Sequence, residues 1–121
     1  MKLKTIEVKG LKIAVVNSEE KLITDVSSAL DFIMSVQYET QSNRIALHKK
    51  ALPEDFFILR TGLAGEVLQK FINYRIKFAV IGDFSSYTSK PLKDFMYESN
   101  HGKDFFFVPS EEEAIRKLSS Q

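Results

Sequence analysis

Two short apolar runs restrict this chain more than anything else in it. They are Phe78-Ala79-Val80-Ile81 and Phe105-Phe106-Phe107-Val108, and neither contains a polar residue. A continuous apolar run of this length reads as a strand buried on both faces of a parallel sheet. Each is followed by a segment with helical start signals. Ser89-Lys90-Pro91 opens one, with proline tolerated in the first turn, and Ser110-Glu111-Glu112-Glu113 opens the other as a capping box. Leu92 and Phe95-Met96 mark the core face of the first, Asn100-His101-Gly102 its stop, and Ala114-Ile115 with Leu118 place the second.

The same alternation extends towards the N-terminus. Residues 2–8 alternate, Lys9-Gly10 interrupts, and Leu11, Ile13, Ala14, Val15 and Val16 form a second run that stops at Asn17-Ser18. Glycine supplies the positive φ of a tight turn, so the two runs make a hairpin. Ile23, Val26, Ala29-Leu30 and Ile33-Met34 recur at helical steps, and Gln41-Ser42-Asn43 breaks that helix. Arg44–His48 reads as a short strand with Ile45 and Leu47 inward, followed by a connector through Pro53. Leu63, Val67-Leu68 and Phe71-Ile72 restore the helical period. The order is β-β-α-β-α-β-α-β-α, an α/β fold with a mostly parallel, mixed five-stranded sheet and an N-terminal hairpin. No repeat or Pro/Gly/Ser-rich linker divides residues 1–121, so one domain is expected.

Composition removes whole classes of function. The 121 residues hold no cysteine, which excludes disulfides, zinc-thiolate and iron–sulfur sites and thiol nucleophiles. Seventeen basic against 16 acidic side chains leave a net charge of +1, no general reason to expect nucleic acid or an anionic membrane as partner. Lys2, Lys4, Lys9 and Lys12 on the hairpin read as charge guarding a sheet edge. Glu7, Lys9 and Lys12 interrupt the apolar core a signal peptide needs, so the protein is expected to be cytoplasmic. The two histidines, His48 and His101, lie too far apart for metal-ligand spacing, and no Gly-x-Ser-x-Gly elbow is present. No catalytic residue, cofactor or metal is assigned.

Three places offer binding chemistry. Arg60-Thr61-Gly62 puts a guanidinium, a hydroxyl and a glycine ahead of a helix, where free N–H groups favour anions. The alternative is that Thr61 is an N-cap while Gly62 and Gly65 allow close packing. Glu66, Gln69, Lys70 and Asn73 share the polar flank of that helix, either a solvated face or, with Tyr74-Arg75, a recognition surface. Asp83 follows a buried strand at the carboxyl edge, where open α/β sheets bind ligands, although Gly-Asp is also common turn chemistry. Arg60 and Asp83 at one edge would form an ion pair or an anion-and-hydroxyl site. Asp94 and Glu98, beside Lys90 and Lys93, read as surface salt bridges.

Phe57-Ile58-Leu59-Arg60-Thr61-Gly62-Leu63 ahead of a helix, in this order of elements, resembles the anti-sigma-factor-antagonist (STAS) domains. Their corresponding loop carries an Asp-Ser-Ser-Gly-Leu type sequence with a phosphorylatable hydroxyl. Gly62-Leu63 match, Leu59 stands where the aspartate would be and Arg60 where the phosphoacceptor serine would be, leaving Thr61 as the hydroxyl. The segment 61–71, Asn73-Tyr74-Arg75, Gly82-Asp83-Phe84 and the segment 95–100 resemble a bacterial family catalogued as a domain of unknown function, numbered four thousand one hundred and eighty. That second family carries no assigned activity; the STAS resemblance implies a non-catalytic regulatory or protein-interaction module, with another protein or a second copy as partner. The alternative is a small-anion sensor or small enzyme at the carboxyl edge of the sheet.

Overall fold

The computed structural model describes residues 1–120. Strands β1 (Lys2–Val8) and β2 (Leu11–Asn17) pair antiparallel across a two-residue turn, and Lys9 (φ 54°) joins Gly10 (φ 79°) in the left-handed region. Positive φ at both turn residues is the geometry that matches the twist of a tight hairpin. Helix α1 (Val26–Thr40), β3 (Arg44–His48), α2 (Leu63–Asn73), β4 (Lys77–Ile81), α3 (Lys90–Asn100), β5 (Phe105–Val108) and α4 (Glu111–Ser119) follow. The strands lie in sequence order β1-β2-β3-β4-β5, parallel from β2 onwards. The α/β class, the mixed five-stranded sheet and the four helices are as the sequence implied.

Monotonic strand order decides where the helices go. Right-handed crossovers that all step the same way place their helices on one face of the sheet. Accordingly α1, α2 and α3 bury Phe32, Ile33, Val67, Phe71, Leu92 and Met96 against Val16, Ile45, Leu47, Phe78 and Val80. The opposite face falls to α4 alone, whose Ala114 and Leu118 pack on Ile13, Val15, Ala46, Ala79 and Phe106. Ala46 and Ala79 end at Cβ, which lets this nine-residue helix lie close to the sheet centre. Strand β3 holds α4 at both ends. Arg44 donates to the Leu118 carbonyl at 2.6 Å, a cation at a helix C-terminus, and His48 meets Glu111 at 3.4 Å at the N-terminus.

Several local expectations change. Helix α1 starts with a reciprocal capping box between Asp25 and Ser28, which was not anticipated. At α4, Ser110 does accept from the Glu113 N–H, but the Glu113 carboxylate turns to Arg116 at 2.7 Å, so only half of a capping box forms. The connector after β3 is three 3-10 turns, Lys49–Ala51, Glu54–Phe57 and Leu59–Thr61. Ile72 leaves the core stripe and is 44% exposed. Arg75 has φ 58°, and the bonds from its N–H to Ile72 and from Ile76 to Phe71 close α2 in a Schellman motif.

Ser42, 1% exposed, ties the beginnings of two strands together by donating to Lys12 and accepting from the Arg44 N–H. Lys90 and Asp94 form the surface salt bridge the sequence suggested.

Candidate functional site

Strands β3, β4 and β5 all point their carboxyl ends at one edge, and a cleft of about 620 Å³ opens there. The register His48↔Ile81 fixes its centre, because it sets the residues after β3 beside those after β4. Lys49 therefore faces Gly82. A Cβ on Gly82 would stand 2.7 Å from the Lys49 Cβ and 2.9 Å from its Cδ, so the lysine stem occupies the space that glycine leaves. The ammonium then lies 4.4 Å from the ring centre of Tyr87 and within 5.7 Å of those of Phe57 and Phe84. It donates to the Asp83 carbonyl at 3.2 Å. Cation–π attraction and one carbonyl hold a charge that has no carboxylate partner among the described residues.

The carboxylates around this cleft are already engaged. Asp83 accepts from the Ser85 N–H at 2.9 Å, an Asx-type turn. Hydrogen bonding from Ser85 holds its carboxyl below the ordinary 3.8, with Lys49 adding a smaller attraction. A carboxyl shifted in that direction moves away from the range a general base needs at neutral pH. Glu111 accepts from Lys4 at 2.9 Å and meets His48 on its other oxygen. The Lys4 bond is the largest influence and holds it below the ordinary 4.5 against the opposing effect of burial, with the His48 contact adding a smaller lowering. Glu54 accepts from the Tyr87 hydroxyl at 3.3 Å. Burial raises that phenol above 10.0, and the neighbouring Lys49 ammonium opposes the rise.

Arg60 is elsewhere. It lines a second cleft of about 550 Å³, between the 3-10 turns and residues 86–92, and shares only Glu54 with the first. No ion pair joins Arg60 to Asp83 among the described residues, because the Asp83 carboxylate is turned into its own loop. Thr61 is not the N-cap of α2. That position belongs to Gly62 (φ 80°), which makes no side-chain cap. The Thr61 hydroxyl donates towards the carbonyls of Asp55 (2.8 Å) and Ile58 (2.9 Å) and accepts from Leu63 at 3.3 Å, bracing the turn from within. A Cβ on Gly62 or Gly65 would meet nothing within 4 Å, so neither glycine serves close packing. Gly62 is needed for its positive φ.

On α2, Glu66, Gln69 and Asn73 are exposed, and Gln69 donates to Asn73 at 3.0 Å, so the two amides satisfy each other in part. Exposed Arg75 lies just beyond the helix. The fold thus groups Arg60, Thr61 and Gly62 on one turn and Glu66, Gln69 and Asn73 along the helix that follows, with Asp83 in a separate cleft. Lys49 escaped sequence reading, because only the parallel register brings it opposite Gly82.

Fold and site together define an α/β domain with a mixed five-stranded sheet, four helices and two neighbouring clefts at one edge. The profile of the family described as Domain of unknown function (DUF4180) matches residues 8–118, and the chain belongs to that family. No curated protein matches the chain. No described helix is long and apolar enough to cross a membrane, and no group of His, Asp and Glu among the described residues is arranged to hold a metal ion.

Proposed function

We propose that this domain is a non-catalytic regulatory module that acts by binding another protein. Its architecture resembles the STAS domains, and its contact surface is the turn around Thr61 with the exposed flank of α2. The observation that carries this reading is the condition of the turn. Arg60 is exposed and has neither a hydrogen bond nor an ion pair among the described residues, whereas Arg44 and Arg116 both have partners. Beside it Ile58 is 37% exposed, and Leu59 and Leu63 are partly so. The backbone beneath them is held by Thr61. An unpaired guanidinium among aliphatic side chains on a braced turn has the composition of an interface hot spot, where little ordering entropy remains to be lost on binding.

The element order and the position of Thr61-Gly62-Leu63 ahead of α2 support the STAS resemblance. Thr61 commits its hydroxyl proton to two carbonyls, so contact here rests on shape and charge. The test is capture by immobilised wild type, Arg60→Glu and Glu112→Lys, a charge reversal on α4 across the sheet, from extract of the cells that make the protein. A protein retained by wild type and Glu112→Lys should be lost from Arg60→Glu, with affinity reduced about thirtyfold and the circular dichroism unchanged. Equal retention by Arg60→Glu refutes the surface. A mass that rises with concentration in light scattering, and no longer does so in Arg60→Glu, makes the partner a second copy.

A further inference from the structure

We infer that the cleft at the carboxyl edge of the sheet binds a small organic oxyanion, a carboxylate or phosphate monoester carried on an apolar body, with Lys49 and Lys21 as its charge partners. The inference rests on the spare donors of two lysines in the cleft and on the placement of Lys49, and is independent of the Arg60 surface. The three carboxylates on its wall, Glu54, Asp83 and Glu111, each accept hydrogen bonds from other groups of the protein. The cations are less committed. Lys21 donates to the Lys50 carbonyl at 2.7 Å, and Lys49 to the Asp83 carbonyl at 3.2 Å. Both ammonium groups therefore rest on neutral partners, and neither is in an ion pair among the described residues. In formal charge the wall balances, Lys21, Lys49 and Lys50 against Glu54, Asp83 and Glu111. The Lys21 and Lys49 ammonium groups, however, each have N–H donors beyond the one given to a carbonyl, whereas the carboxylates are turned to donors of the protein.

Placement favours a ligand as well. The stem of Lys49 is wedged against Gly82, which fixes where the chain leaves the sheet while its last atoms lie on aromatic faces. An ammonium held by π faces and one carbonyl can turn to an anion without breaking a salt bridge. Leu52 and Ile81, both buried, supply an apolar floor, and Pro109 an apolar rim. A volume of about 620 Å³ is in the ordinary range for small-molecule sites. An inorganic ion would leave most of it empty, whereas an anionic group on a ring or short chain uses charge and floor together.

The experiment is a titration of the full chain, followed by amide NMR shifts, with phenyl phosphate, benzoate and uncharged benzyl alcohol. Saturable shifts at the amides of Lys49, Gly82 and Asp83 are expected with the anions and not with the alcohol, weakening as salt is added. Lys49→Met keeps the stem against Gly82 and removes the charge, and should raise the dissociation constant about tenfold. Lys21→Met should raise it less, and it carries the test if the first variant does not fold. A response to phenyl phosphate alone assigns the site to phosphate monoesters, and one to benzoate alone to carboxylates. The inference is overturned if neither anion gives saturable shifts, if benzyl alcohol gives the same ones, or if binding survives unchanged in the folded lysine variants.

Discussion

Replacing Asn100 by alanine should expose the free edge of the sheet, and the size of the effect follows from two hydrogen bonds. Strand β5 has no strand beyond it. Bonds from β4 reach the carbonyls of Asp104 and Val108, so by alternation Phe107 turns its N–H and C=O outwards. The Asn100 side chain, at the end of α3, takes both. Its Oδ1 accepts from the Phe107 N–H at 2.7 Å, and its Nδ2 donates to the Phe107 carbonyl at 3.1 Å. An amide is the one side-chain group that can imitate the missing strand in this way, with donor and acceptor side by side. Two neutral bonds at a partly buried position contribute about 1–3 kcal/mol in all. For a domain of this length, 2 kcal/mol lowers Tm by about 8 °C. Asn100→Asp should do at least as much, because it keeps the acceptor but sets a carboxylate against the Phe107 carbonyl. Thermal melts would give the first number, and amide exchange the second, with Phe107 losing protection while Ala46 and Ala79 keep theirs. The exposed edge should also raise aggregation above the wild-type level. An unchanged Tm together with unchanged Phe107 exchange would refute the account, since water would then be replacing the amide at no loss.

Three further changes have outcomes set by the structure, beyond the loss of partner binding expected of Arg60→Glu. Gly82→Ala places a methyl group 2.7 Å from the Lys49 Cβ, a near-backbone atom that cannot swing away, and should cost about 1–3 kcal/mol in urea denaturation. Lys49→Ala should not rescue it, because that Cβ remains. Arg75→Gly removes the penalty of a side chain in the left-handed region and should stabilise the protein by about 1 kcal/mol, read as a higher urea midpoint at unchanged slope. Glu111 has its carboxyl lowered chiefly by Lys4, so its contribution is complete above its ordinary value of 4.5 and is lost as pH falls through the lowered one. The Tm difference between wild type and Glu111→Gln should therefore be steady at neutral pH and shrink in acid; a difference that grows in acid contradicts the assignment.

How far the chain could be read in advance depended on the range of the forces that fix each part. Phe78-Ala79-Val80-Ile81, the Ser89 and Ser110 helix starts and the Lys9-Gly10 turn are decided by neighbours a few residues away, and each appears where the residue pattern puts it. Ala46 is different. It reads as the outward residue of a half-buried strand, yet it is fully buried, because α4 returns across the far face of the sheet from more than sixty residues away. The 3-10 turns after β3 have no such pattern to reveal them, since single turns bonded at i to i+3 are too short to build a hydrophobic period.

The candidate sites divide along the same line. Arg60 and Thr61 were legible as a turn ahead of a helix, although the direction of the Thr61 hydroxyl, towards Asp55 rather than along α2, depends on how the preceding 3-10 turn folds. Asp83 was legible at the strand end, and its bond to Ser85 is local enough that the turn reading anticipated it. Lys49 was not. Its importance comes from a glycine thirty-three positions later that leaves room for its stem, and from three rings contributed by two separate loops. A lysine in a connector carries no mark of that in one dimension. Once parallel pairing places the ends of β3 and β4 side by side, a glycine directly after one strand and a long cation directly after the other become a single feature. In a sheet of this kind, the residues immediately beyond adjacent strand ends should therefore be read in pairs, across the register rather than along the chain.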